Sequence, residues 1–93
     1  MIGVTLVDPE AGGYEVVVEG QKPTRHRVTL DFDYYVDLCG RQFTQEWVIV
    51  QAFQFLLERE ANTEILGQFD LREIPSYFPE FETEMATRIR ARQ

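Results

Sequence analysis

Phe43–Glu60 reads FTQEWVIVQAFQFLLERE, and the fold turns on how that stretch is understood. It is the longest unbroken helical pattern in the chain. Ile49, Ala52, Phe53 and Leu56 recur at the i, i+3, i+4, i+7 spacing of one helix face. Trp47, Val48, Val50, Phe55 and Leu57 widen that face until Gln51, Gln54 and Glu58 are the one clear polar stripe. A helix apolar on most of its circumference belongs inside a core or against a partner chain. Thr44 suits the N-cap, and Phe43 before it is placed to staple onto Val48. The spacing therefore predicts a main helix over 44–60, with the rest of the chain wrapped around it.

Toward the N-terminus the period drops to two. Ile2, Val4 and Leu6 alternate with Gly3, Thr5 and Val7, and Tyr14, Val16 and Val18 alternate with Glu15, Val17 and Glu19. Between them Asp8-Pro9-Glu10-Ala11-Gly12-Gly13 is dense in turn residues, so the pair reads as a hairpin. Gly20-Gln21-Lys22-Pro23 breaks the pattern again. His26, Val28, Leu30 and Phe32 then alternate with Arg25, Arg27, Thr29 and Asp31 as a third strand. The expectation is a three-stranded antiparallel sheet with one face covered. From Asp33 the period becomes helical, with a short helix stopped at Gly40.

Toward the C-terminus, Asn62 and Thr63 end the main helix, and a turn over 64–66 is halted by Gly67. Asp70-Leu71-Arg72-Glu73 has capping-box spacing, and Pro75 is expected to limit that helix to about one turn. Pro79 suits the first position of a terminal helix. Along that helix Phe78, Phe81, Met85 and Ile89 keep helical spacing. Its acids come first and its arginines last, which complements the helix dipole. Strands followed by a helical C-terminal half give an α+β class, read as a single domain over 1–93.

Composition bounds the function. The net charge of −7 repels nucleic acid and anionic membrane at long range. The exception is a short basic island of Lys22, Arg25, Arg27 and His26. A 44% apolar fraction is enough for a core in 93 residues, and no apolar run approaches the roughly 18 residues of a membrane span. The start, MIGVTLVDPE, lacks a basic beginning and carries acids early, so it does not read as a signal peptide. One cysteine forms no internal disulfide, which suits a reducing compartment. The expected localisation is cytoplasmic.

Catalytic and metal chemistry find little support in the residue types. His26 and Cys39 are the sole histidine and cysteine, and no third residue is marked to orient such a pair. They are too few for a zinc site. Asp31, Asp33 and Asp37 have Tyr34, Tyr35 and Val36 among them, where a calcium loop wants a ligand and a glycine. Gly12-Gly13 forms no phosphate-cradling motif. The expectation is a protein with no enzymatic activity, cofactor or metal. The aromatics say more: Trp47 beside Gln51, and Tyr77, Phe78 and Phe81 around two prolines, are candidates for contact with a protein partner.

Two resemblances add to this. Arg25-His26-Arg27-Val28-Thr29-Leu30, the short helix, the turn at Gly40-Arg41 and the helix opening at Thr44 resemble a ribbon-helix-helix unit of repressors and antitoxins. That resemblance implies a dimer whose paired strands read the major groove through Arg25, Arg27 and Thr29, with the Thr44 helix end on phosphate. Phe55–Glu60, Ile65–Leu71 and Tyr77–Phe81 are similar to the ending of small uncharacterised bacterial proteins. That similarity brings no activity and implies only that the ending is integral to one compact domain. The reading favoured is a small acidic module for protein interaction or structure, self-association included. The alternative is a dimeric DNA-binding regulator. Residues 25–31 are expected to pair within their own chain, and any dimer to use the rim of the main helix or the aromatic ending.

Overall fold

A computed structural model describes residues 1–92. The first half builds the sheet in sequence order: β1 (Ile2–Asp8), β2 (Gly13–Val18) and β3 (Thr24–Thr29) form an antiparallel meander. Side-chain alternation sends Tyr14, Val16 and Val18 of β2 and His26 and Val28 of β3 to one face, where none is more than 4% exposed. The opposite face carries Glu15, Val17, Arg25 and Arg27, with Arg25 bridged to Glu15 at 3.0 Å. Residues 24–29 thus pair within the chain, as expected.

The sheet is larger than the sequence suggests. After the helices the chain returns as β4 (Gln68–Asp70), parallel to β3, with Val28 opposite Phe69 and Thr29 opposite Asp70. The expected three-stranded antiparallel sheet is corrected to a four-stranded mixed one in the order β1-β2-β3-β4. β4 has three residues and one apolar side chain, too little for any period to show. Its attachment is tertiary: Thr29 Oγ1 donates to Asp70 Oδ2 at 2.6 Å, and Arg27 N donates to the Gly67 carbonyl at 2.8 Å.

The helices are α1 (Phe32–Cys39), α2 (Gln45–Leu57), α3 (Ile74–Tyr77) and α4 (Phe81–Ala91), with 3-10 turns at 62–64 and 71–73. Asp31 caps α1 by accepting from Tyr34 N, and Gly40 ends it at φ +58°. Thr44 caps α2, its Oγ1 accepting from Trp47 N at 3.0 Å. α2 stops at Leu57 rather than 60. There Arg59 folds back, its guanidinium 3.6 Å over the Phe55 ring and donating to the Phe55 carbonyl. Two proline positions differ from expectation. Pro75 sits at the start of α3, where its missing N–H costs nothing, and Pro79 lies in the turn before α4.

α2 is enclosed from both sides. Phe53 meets the rings of His26 at 5.4 Å and Phe69 at 6.0 Å on the sheet side. Two residues on, which is about 200° around the helix, Phe55 meets Phe81 at 5.1 Å and Phe78 at 5.9 Å. Both phenylalanines are fully buried, as are Val48, Ile49 and Ala52.

Three tyrosines anchor this packing by their hydroxyls. Tyr14 donates to Gln45 Oε1, Tyr34 to Glu82 Oε2 at 2.8 Å, and Tyr35 to the Phe43 carbonyl. Burial pushes all three hydroxyls above the ordinary tyrosine range. Glu46 adds to this at Tyr14, and the Glu82 hydrogen bond adds to it at Tyr34. A folded-state pKa above the unfolded value of about 10 gives stability that is intact below that pH and lost as pH rises above it. The urea midpoint is therefore expected to fall above about pH 10, as tyrosinate absorbance rises. Ionisation of Tyr14, Tyr34 and Tyr35 in the folded state without loss of stability would contradict these contacts, in which Tyr77, 62% exposed, takes no part.

Candidate functional site

The end of α2, the loop after it, β4 and α3 surround an open cleft of about 290 Å³. Each wall has a local cause. Leu56 and Glu60 lie one turn apart, the Glu60 amide still bonded to the Leu56 carbonyl. The 62–64 turn is closed by Glu64, whose Oε1 accepts from Ala61 N at 3.1 Å. Asp70 and Glu73 cap each other's segment, Glu73 Oε2 accepting from Asp70 N at 2.9 Å and Asp70 Oδ1 from Arg72 N at 2.8 Å. Ile74, Tyr77 and Phe78 then fall on one side of a helical turn, and all three line the cleft.

His26 holds this loop to the sheet. Its Nδ1 lies 2.8 Å from the Leu66 carbonyl, which only accepts, so Nδ1 carries a proton. Nε2 lies 2.8 Å from Thr24 Oγ1, which also receives Asn62 Nδ2 at 3.0 Å. Asn62 Nδ2 reaches the Lys22 carbonyl as well, at 2.9 Å. Both imidazole nitrogens are thus engaged in fixing the residue 62–66 loop. Cys39 is buried elsewhere, with its Sγ 3.9 Å from the Phe43 carbonyl.

The cleft has an apolar floor and an acidic rim. Leu56, Ile65, Phe69 and Ile74 are each at most 7% exposed, while Leu66 at 49% and Tyr77 at 62% form the lips. Glu60, Glu64 and Glu73 complete the lining, and among the described residues no Lys or Arg joins them. Burial, and then the neighbouring Glu64, pushes the Glu60 carboxyl above its usual range. The arginines nearby are committed elsewhere: Arg59 to Glu80 at 2.9 Å, Arg72 to Asp31 at 2.7 Å and Arg88 to Glu58 at 2.7 Å. Each of those pairs holds its carboxylate below the usual range. Glu60 is the contrasting case, with no donor bonded to its side chain among the described residues. Among the described residues no three of His, Cys, Asp and Glu come close enough to hold a metal ion.

The residues marked from sequence are divided by the fold. Tyr77 and Phe78 line the cleft. Phe81 is fully buried against Phe55, so it is a core residue and not a surface contact. Gln51, expected on a polar stripe, is 7% exposed because α2 is covered on both sides. Trp47 is half-buried and stacks on Phe43 at 4.1 Å, in a separate hollow with Tyr35, Arg41 and Thr44. The rim of the main helix therefore offers little surface.

Arg25 and Arg27 do face outward with Thr29 beside them on β3. However, β3 is bonded on one edge to β2 and on the other to β4. A ribbon shared between two chains needs a free strand edge, and β4 occupies that edge of β3 over residues 27–29. The edge strands of the sheet are β1 and the short β4, and on β1 Leu6 and Val7 are 45% and 42% exposed. Sequence reasoning missed Ile65, Leu66, Ile74 and the three glutamates, because they come together from separate segments with no shared spacing. Compared with family models, curated proteins and solved structures, the chain has no significant match.

Proposed function

We propose that the protein is a non-catalytic interaction module that holds a segment of a protein partner by an apolar side chain seated in this cleft. The observation that carries the reading is the continuity of exposed Leu66 and Tyr77 with the buried floor of Leu56, Ile65, Phe69 and Ile74. Apolar lips over an apolar floor favour the transfer of a partner side chain out of water. The size fits that role. About 290 Å³ is at the lower edge of small-molecule pockets, and suits one or two side chains rather than a cofactor. The engagement of both His26 nitrogens in holding the loop supports a structural rather than a catalytic histidine.

Leu66 and Leu6 provide a matched test, because they are nearly equally exposed at opposite ends of the sheet. Peptides selected from a random display library on the immobilised protein are expected to carry an apolar anchor. They should bind Leu66→Ser at least about tenfold more weakly, corresponding to about 1.4 kcal/mol, and Leu6→Ser unchanged. A selection that enriches nothing, or binders equally sensitive to Leu6→Ser, would count against the cleft.

A further inference from the structure

We propose that the partner segment is basic, with its apolar anchor flanked by lysine or arginine side chains that reach Glu60, Glu64 and Glu73. This rests on the cleft being the docking site and adds the chemistry of what docks there. Among the described residues three acids and no base line an otherwise apolar hollow, which is a poor seat for an acidic segment. Among the described residues no cation pairs with half-buried Glu60, and burial and then the neighbouring Glu64 hold its carboxyl above the usual range. A neighbouring cation would offset, by direct attraction, both the cost of burying that carboxylate and the repulsion from Glu64. The nearest arginine in sequence, Arg59, is turned to Glu80 and Glu58 instead.

The arrangement of the acids favours a polypeptide over a small cation. Glu60 follows α2, Glu64 closes the 62–64 turn and Glu73 precedes α3, so the charges are distributed around the mouth. They do not converge tightly enough to hold one metal ion. Dispersed carboxylates around an apolar floor match several positive charges spread along a chain. Glu64 and Glu73 each give one oxygen to a backbone cap, which fixes the direction of the carboxylate. Glu60 has no such duty, which makes Glu60→Gln a substitution that leaves the caps in place.

Two synthetic peptides test the inference: they share one leucine anchor, flanked by arginines in the first and by glutamines in the second. Isothermal titration at low salt is expected to show the arginine peptide binding at least about tenfold more tightly. That advantage should shrink at about 0.5 M salt, where screening acts within a few ångströms. Glu60→Gln should weaken the arginine peptide several-fold and leave the glutamine peptide unaffected. Glu10→Gln, the same charge change in the β1–β2 turn, should alter neither. Equal affinities for the two peptides, both lost in Leu66→Ser, would overturn the basic partner while leaving the cleft as the docking site. Hexylammonium binding as tightly as the arginine peptide would overturn the polypeptide. No binding by either peptide would count against the cleft itself.

Discussion

Phe53→Ala is expected to destabilise the protein by about 3–5 kcal/mol, which is most of the stability available to many small domains. The side chain is fully buried and lies between the His26 ring at 5.4 Å and the Phe69 ring at 6.0 Å. Truncation removes the contact that joins α2 to both β3 and β4. His26 is held by its own hydrogen bonds, so the cavity is poorly placed to collapse. The variant should show a much lower urea midpoint, and the slope of the transition should be unchanged if unfolding stays two-state. A midpoint within error of the parent protein would mean that α2 is not packed on the sheet as described.

Gly12→Ala is expected to cost about 2–4 kcal/mol, although it adds only one carbon. Gly12 has φ +65°, and a Cβ there would lie 2.5 Å from the Leu30 carbonyl oxygen, a backbone atom. The left-handed conformation alone costs an alanine about 1–2 kcal/mol. Relieving the clash must also strain the bond from Leu30 N to the Gly12 carbonyl, 2.9 Å long, which adds about 1 kcal/mol. Two other glycines separate these contributions. Gly40 shares the positive φ but has only Gln42 Nε2 near, at 4.0 Å, so Gly40→Ala should show the conformational cost without the clash. Gly20 has nothing within 4 Å, so Gly20→Ala should be nearly neutral. Equal losses at Gly12 and Gly40 would show that the turn does not press on Leu30.

Local pattern made the α+β class legible. The 3.6-residue period of 44–60 and the alternation in 2–6, 14–19 and 25–32 come from side chains whose burial is decided within their own segment. The Thr44 cap and the Asp70–Glu73 pair were equally readable, because they act over three residues, whereas Asp31 read as part of the third strand and proves to cap α1. β4 was not readable, since three residues around Phe69 become a strand only by pairing with β3. Gln51 misled for a related reason. Its polarity suggested a solvent-facing stripe, whereas the packing of layers on both sides of α2 encloses that position. The site was legible only at Tyr77 and Phe78. Leu66 and the rim glutamates gain their meaning from a loop placed by His26, Thr24 and Asn62, which lie up to 38 residues apart.

The central claim is that the cleft between the end of α2 and α3 is where a basic partner segment docks. Methyl NMR on protein labelled at isoleucine and leucine tests it most directly, with the arginine-flanked peptide as titrant. Shifts are predicted at Leu56, Ile65, Leu66 and Ile74, which line the cleft, with Ile2, Leu6 and Leu38 unmoved. Shifts concentrated at Ile2 and Leu6 on the open β1 edge, with the cleft methyls silent, would contradict it.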